Sequence, residues 1–441
     1  MNLVSRVGMQ YRTLLVLLLL VLSLPLQAIG RPDTAVASGP ITNPVFRILT
    51  RTPVGLVYVD AGTGDLYAVT ARGVIAIDAQ GQVRQVYTSV PSEYICGLAI
   101  DGTNHHMLLS TVIFDSSIMP SPAPLPLATS MARVIDAASG QILNSLTIFR
   151  GQTVCNPAGR SFVAIDPDNG HGFVSDYASG QSAMIDVGSG ALLHRFQMDL
   201  PWVFPPIVNN ALPWVVDSQR HRLVVSTVHR CTSSCSSWPH IITIDTNSGQ
   251  LIRSTPSRSA PISVLALDDA TGRVYFLPEA LAPGDVFALD DSSGKIAAHV
   301  HVTRMYGDGN VTGNVTVDSS THHVYLYIGG TALAGASGSG NGPAHLIVMN
   351  GRATRVLRRL RMPNPRHDYS AGATLVDAGT GRLFVLVGAH FLVLDPSTLR
   401  LLQTISLAPL FHGTYIGIDL DTMTHRLLAF GPSGIVALNE G

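Results

Sequence analysis

Short apolar runs recur along the whole 441-residue chain, rich in Val, Ile, Leu and Tyr and punctuated by Asp, Thr, Ser and Gly. Their period-two alternation predicts half-buried antiparallel strands rather than helices. The runs keep a fixed order. An apolar-x-apolar-Asp stretch leads through a turn into a second apolar strand, as in VYVDAGTGDLYAV at Asp60 and VTVDSSTHHVYLY at Asp318. The same order occurs at Asp101, Asp166, Asp217, Asp268, Asp377 and, in IGIDLDTMTHRLLAF, at Asp419. Each is followed by a second signature, apolar-x-apolar-Asp or Asn, at Asp78, Asp136, Asp186, Asp245, Asp290, Asn350, Asp395 and Asn439. The pattern predicts eight units of four short strands, lettered A to D from the inside outwards.

The recurring Asp has a local cause. Its carboxylate accepts hydrogen bonds from backbone N–H groups two or three residues on and so stabilises a tight turn. These positions read as turn residues, not as an array of catalytic carboxylates. A four-stranded unit cannot bury both faces alone, and stacking units radially solves this with short, protected edges. The expected fold is all-β: a β-propeller of eight four-stranded blades over residues 44–441, seven being the alternative if one unit is irregular. The last unit, GIVALNEG, stops after strand C, and PVFRILT (Pro44–Thr50) supplies a strand to complete it and close the ring.

Unit length varies on one side only. Asp60 and Asp101 are 41 residues apart, whereas Asp101 and Asp166 are 65 apart. The A–B and C–D turns stay short. The extra chain falls in B–C loops (Thr111–Met131, Ser226–Ile241, Ile328–His345) and in D–A loops, which emerge at the same end of an antiparallel blade. One rim is therefore elaborated and the other plain, and loops on a rigid scaffold are where binding resides. Candidate binding residues on the elaborated rim and channel mouth are Glu93, Tyr94, Arg160, Trp202, Trp214, Trp238, Asp308, His367, Asp368, Tyr369, His412 and Tyr415, with Phe204 among the rim aromatics. His105, His106, His171, His221, His322, His323 and His425 fall in plain-rim turns, away from any shared centre. The turn DPDNG at Asp166 has a weak likeness to a calcium loop. Asn310 and Asn314 each head an Asn-x-Thr sequon.

Composition narrows the partner. The net charge is −1 and only 13% of residues are charged, which leaves no overall electrostatic footprint for nucleic acid or for an anionic membrane. Arg6 and Arg12 precede the apolar run Leu14–Leu24. That run is short of the roughly 20 residues that span a bilayer and suits a secretory signal. Residues 1–37 are thus expected to be a cleaved signal or a retained N-terminal anchor with linker, contact with a membrane being expected only through such a retained segment. Either places the rest of the chain outside the cytoplasm, where disulfides persist. Cys231 and Cys235 share one loop, and Cys96 and Cys155 sit in successive D–A loops. Disulfides are favoured, with tetrahedral zinc on His229, Cys231, Cys235 and His240 as the alternative for the first pair.

The units VDSSTHHVYLY and VDAGTGRLFVLV, the latter followed by LVLDPSTLRLLQTI, resemble the YVTN-type β-propeller repeat. This resemblance spans roughly residues 44–441. It implies an exported or surface binding protein and carries no catalytic residues with it. IDAASGQIL, IDTNSGQLI and LDDSSGKIA are similar to the repeat of quinoprotein dehydrogenases, but lack the Trp that closes each of those repeats. The expected function is the binding of a protein or glycan partner by a monomer without a cofactor. The alternative is an enzyme, a metal-dependent lactonase or hydrolase or a quinoprotein-like oxidoreductase, acting at the channel mouth.

Overall fold

The computed structural model describes residues 44–439, except 51–53, 61, 116–126, 153–154, 156–162, 177–178, 198–213, 228–239, 257–261, 279–284, 303–310, 331–343, 364–372, 409–416 and 432. These residues form eight four-stranded antiparallel sheets. The inner strands touch one another in a closed cycle, from Val54–Val59 of blade 1 round to Gly417–Asp421 of blade 8 and back. The arrangement is an eight-bladed β-propeller.

Each sheet meets a neighbour on both faces, and this sets the residue pattern. In strand B of blade 7 (Arg382–Val387), Leu383, Val385 and Val387 pack toward blade 6, whereas Phe384 and Leu386 pack toward blade 8. The strand is apolar without interruption because neither face sees water. Half-burial, expected from the alternation, therefore does not hold for the middle strands. Water-facing residues concentrate in strand D, as in Leu192–Gln197 of blade 3. Eight apolar clusters follow, one at each seam between neighbouring blades.

The ring closes as expected. Pro44–Leu49 is the outer strand of blade 8 and pairs with Gly434–Asn439, bringing Phe46 opposite Ala437 and Ile48 opposite Ile435. The first and last parts of the propeller thus share one sheet. Phe46 also lies against the C–D turn of blade 1, where a β-carbon on Gly81 would stand 2.8 Å from its Cβ. Phe46 and Ile48 both pack on the seam between blades 8 and 1.

The turn chemistry holds, with one correction. Asp60 Oδ1 accepts from the Gly62 N–H at 2.8 Å, and Asp377 Oδ1 does the same from Gly379. In blade 8 the turn residue is Asp421, not Asp419: Asp421 Oδ1 accepts from the Met423 N–H at 3.0 Å and its residue pairs with Arg426. The segment IDLD offers two Asp in alternate positions, and only the second is followed by the Thr-His spacing that the turn needs.

Closure makes a direct prediction. Phe46→Ala opens the seam between blades 8 and 1 and is expected to cost about 2 kcal/mol, the lower range for a large-to-small change at a partly buried site. Removing residues 44–49 altogether is expected to lower the thermal midpoint of the entire ring in a single transition. An unchanged midpoint by calorimetry would contradict closure by this strand.

Candidate functional site

At the elaborated rim, blade 2 stands taller than its neighbours. Its strands run Glu93–Asp101, His106–Phe114, Leu127–Asp136 and Ile142–Gln152, lengths of 9, 9, 10 and 11 residues, against 4 to 6 in blades 3 and 4. The added length lies at the loop-rim end, since the opposite end is fixed by the turn at Asp101. There it forms a ninth apolar cluster of its own, from Cys96, Val112, Phe114, Ala128 and Cys155, with Tyr94 packed against it. Tyr94 meets Phe114 edge to face, ring centroids 5.4 Å apart. A disulfide joins Cys96 in strand A to Cys155, which follows strand D. The bond therefore ties the inner edge of blade 2 to the chain leaving its outer edge, across the top of one blade rather than between two.

Glu93, expected at the channel mouth, is instead buried at the seam with blade 1. Its Oε2 accepts from the Tyr87 hydroxyl at 2.6 Å and from the Val90 N–H at 3.1 Å, and its Oε1 accepts from Arg133 Nε at 2.9 Å. Arg133 lies over the Tyr87 ring, 5.9 Å from its centroid. Burial alone would raise the Glu93 pKa, but the bonds from Tyr87 and Val90 and the charge of Arg133 outweigh it and hold the carboxyl below its usual range. With both oxygens occupied, Glu93 is a clamp between blades and has no oxygen left for a substrate.

Trp214 is likewise not a rim residue. It opens strand A of blade 4 and is buried with Phe173, Leu223 and Val225 in the seam with blade 3. The apolar run WVVD already marks Trp214 as the start of a strand, and the packing of blade 3 against blade 4 turns its side chain inward. Arg160, Trp202, Phe204, Trp238, Asp308, His367, Asp368, Tyr369, His412 and Tyr415 lie outside the described residues, as do His229, Cys231, Cys235, the sequon at Asn310 and residues 1–37. His240 is described and its Nδ1 is 2.7 Å from Ser254 Oγ. Asn314 is buried within strand A of blade 6. Among the described residues no group of three His, Cys, Asp or Glu is arranged to hold a metal ion.

The plain rim holds chemistry that sequence reading missed. Four residues after the turn Asp, the eight blades carry Gly64, His105, Gly170, His221, Gly272, His322, Gly381 and His425 in turn, all with φ between +52° and +74°. A residue with a β-carbon adopts this left-handed conformation at a cost of about 1–2 kcal/mol. Each His offsets that cost by reaching back to the turn Asp of the preceding blade: His105 Nδ1 to Asp60 Oδ2 (3.2 Å), His221 to Asp166 (3.0 Å), His322 to Asp268 (2.9 Å) and His425 to Asp377 (2.6 Å). The four carboxylates are buried. Blades 1 and 2, 3 and 4, 5 and 6, and 7 and 8 are thereby latched in pairs. The strict alternation of Gly and His was the available signal. It is invisible to a search for a shared catalytic centre, because each His serves a different seam.

One latch-free seam is different. Asp291, in the C–D turn of blade 5, is buried beside Asp217 of blade 4. Arg220 Nη1 donates to Asp217 Oδ2 at 2.7 Å and to the Asp269 carbonyl at 2.6 Å, and Ser292 donates to Asp291 Oδ1 at 3.2 Å. Asp291 Oδ2 is buried and accepts no hydrogen bond. Burial first, and then the Asp217 carboxylate, push the Asp291 pKa up to about 7.

No protein-family model matches this chain, and no curated protein matches it in sequence. Solved structures match in fold. The propeller of Dos1 superposes with a TM-score of 0.59 at 12% identity, covering 90% of this chain and 94% of that one. BamB from Moraxella catarrhalis gives 0.52 at 12% identity, covering 89% and 99%. The dihydro-heme d1 dehydrogenase NirN gives 0.51 at 13% identity, covering 80% of this chain and 66% of that one. At these identities the likeness is one of fold alone.

Two outcomes are expected. Replacing Cys96 and Cys155 with Ser frees a loop of 59 residues and is expected to cost about 2–4 kcal/mol, read as a lower unfolding midpoint that reductant no longer shifts. For Asp291, the raised folded pKa means the proton is bound more tightly in the fold than in the unfolded chain. Its stabilisation is therefore full in acid and is lost as pH rises toward about 7. Asp291→Asn is expected to remove that decline from a midpoint-against-pH profile; a profile parallel to the parent would contradict a raised pKa at Asp291.

Proposed function

We propose that this chain is an exported β-propeller that captures a protein or glycan partner on its elaborated rim. The observation that carries this reading is the raised, disulfide-tied end of blade 2. A ring needs neither the longer strands nor the extra apolar cluster to close, and both stand at the rim where every long connection begins and ends. The half-buried Tyr94, braced edge to face by the buried Phe114, presents a held aromatic at that end, a residue type that contributes strongly to binding interfaces. Of the four latched turns on the opposite rim, those at Asp60, Asp166 and Asp377 have one carboxylate oxygen on the turn and the other on the latch, which leaves that rim little freedom to recognise a ligand.

Export rests on Arg6, Arg12 and the apolar run Leu14–Leu24, and the Cys96–Cys155 bond suits an oxidising compartment. The likeness of the repeats to the YVTN type supports the same reading, because the shared residues are those of the turns and the variation lies on the other rim.

Replacing residues 116–126 and 228–239, which connect strands B and C of blades 2 and 4, with short turns tests the proposal. The shortened protein is expected to keep its unfolding midpoint and to lose at least tenfold in capture of partners from the host's extracellular fraction, about 1.4 kcal/mol. Equal capture by the folded variant would move binding away from these two loops.

A further inference from the structure

The outer strands carry the largest concentration of positive charge among the strands of the ring. The eight D strands together hold nine Arg or Lys and no Asp or Glu. The chain as a whole has slightly more acid than base. The concentration is greatest on blade 6. Its outer strand Val356–Met362 and the turn before it carry Arg352, Arg355, Arg358, Arg359 and Arg361, all exposed. Arginine ion pairs among the described residues involve Arg133, Arg220 and Arg222 and none of these five. Arg358 donates to a neutral carbonyl, that of Thr398 on blade 7, and Arg359 to another, that of Val302 just after the outer strand of blade 5. The neighbouring His345 has its pKa lowered by burial and then by Arg359 and Arg361, as an uncompensated positive field requires.

Apolar side chains stand beside this charge. On blade 7 the outer strand Leu401–Ser406 begins with Leu401 and Leu402, 53% and 44% exposed, preceded by the exposed Arg400. The pair is exposed for a geometric reason. Strand C residue Leu394 pairs with Leu401 and Val393 with Gln403, so Leu402 is an extra residue in the strand. Such a bulge breaks the alternation that would turn one of the two inward. The same break recurs at Leu357 of blade 6, where Met349 pairs with Val356 and Val348 with Arg358. These bulges also interrupt the edge ladder, which argues against an added β-strand as the occupant.

We propose that the outer face of blades 6 and 7 docks on an anionic lipid surface. Charge complementarity requires an acidic partner. Arg358, Arg359 and Arg361 lie along a strand about 20 Å long at 3.3 Å per residue, with Arg352 and Arg355 in the turn before it, and such an open row suits an extended sheet of headgroups. Exposed Leu beside Arg is the composition that settles at a lipid interface, the aliphatic tips entering the acyl boundary while the guanidinium groups stay with the phosphates.

The test uses the chain from Pro40 onwards, which contains every described strand and every apolar cluster and so is the folding unit. It is sedimented with phosphatidylcholine vesicles with and without phosphatidylglycerol. Binding is expected only with phosphatidylglycerol, and to weaken as salt is raised. Arg358→Glu, Arg359→Glu and Arg361→Glu combined are expected to weaken it tenfold or more, given about 1 kcal/mol per basic residue at such a surface. The corresponding triple Gln variant serves as a milder version if the Glu variant does not fold. Leu401→Ser with Leu402→Ser is expected to weaken binding without altering its salt dependence. Arg253→Glu, on blade 4, is expected to leave it unchanged. Absence of binding, equal binding to both vesicles, or wild-type binding by a folded triple variant would overturn the proposal. So would equally tight, Arg-dependent binding to polyglutamate, which would point to an acidic protein instead.

Discussion

A blade of this propeller has two apolar faces and can cover neither by itself, so the structure stands or falls on the last seam of the ring. Seven seams form between blades that are successive in sequence. The eighth requires blade 8 to meet blade 1, and there the chain uses its own beginning as the outer strand of its final sheet. The consequence is that the two ends of the propeller share one set of backbone hydrogen bonds. Strand pairing and the packing of Phe46 on Gly81 then act on the same seam.

Within that closed frame the two rims have been given different work. On the plain rim, each turn is held by a carboxylate, and alternate turns are held twice because a His from the next blade shares the same Asp. For Asp377, burial opposes ionisation, yet His425 and two backbone N–H groups keep its pKa below the usual carboxylate range. The alternation of Gly and His makes the structural unit a pair of blades rather than one. On the elaborated rim the constraint is lifted, and blade 2 extends upward far enough to build a separate apolar cluster and to need a disulfide to hold it.

What could be read from the sequence was what is local. A turn Asp interacts with residues two or three positions away, so its spacing is written in the chain, and blade number and closure followed from counting such turns. The pairing of Cys96 with Cys155 rests on a different geometry from the one the repeats suggest: Cys96 lies inside strand A of blade 2, not in a loop, and the bond closes over that one blade. The misreadings arose where a partner is remote or a boundary is ambiguous. Glu93 looked like a free acid before an inner strand because Arg133 is 40 residues away. Trp214 looked like a rim aromatic because only the packing of blade 3 against blade 4 shows that it faces inward. Asp419 and Asp421 stand in the same alternating phase, and local pattern alone did not separate them. The His latches span 45 to 55 residues and join different blades, so no single repeat contains both partners.

The account's central claim is that recognition belongs to the rim bearing the raised end of blade 2 and not to the rim of Asp-held turns. A photo-crosslinking residue placed at Tyr94 on the first rim, or at the exposed Met423 on the second, and activated in intact host cells reads this out directly. The account predicts a discrete covalent adduct from position 94 and none from position 423. An adduct formed only from position 423, by a protein whose ring is intact, would contradict it.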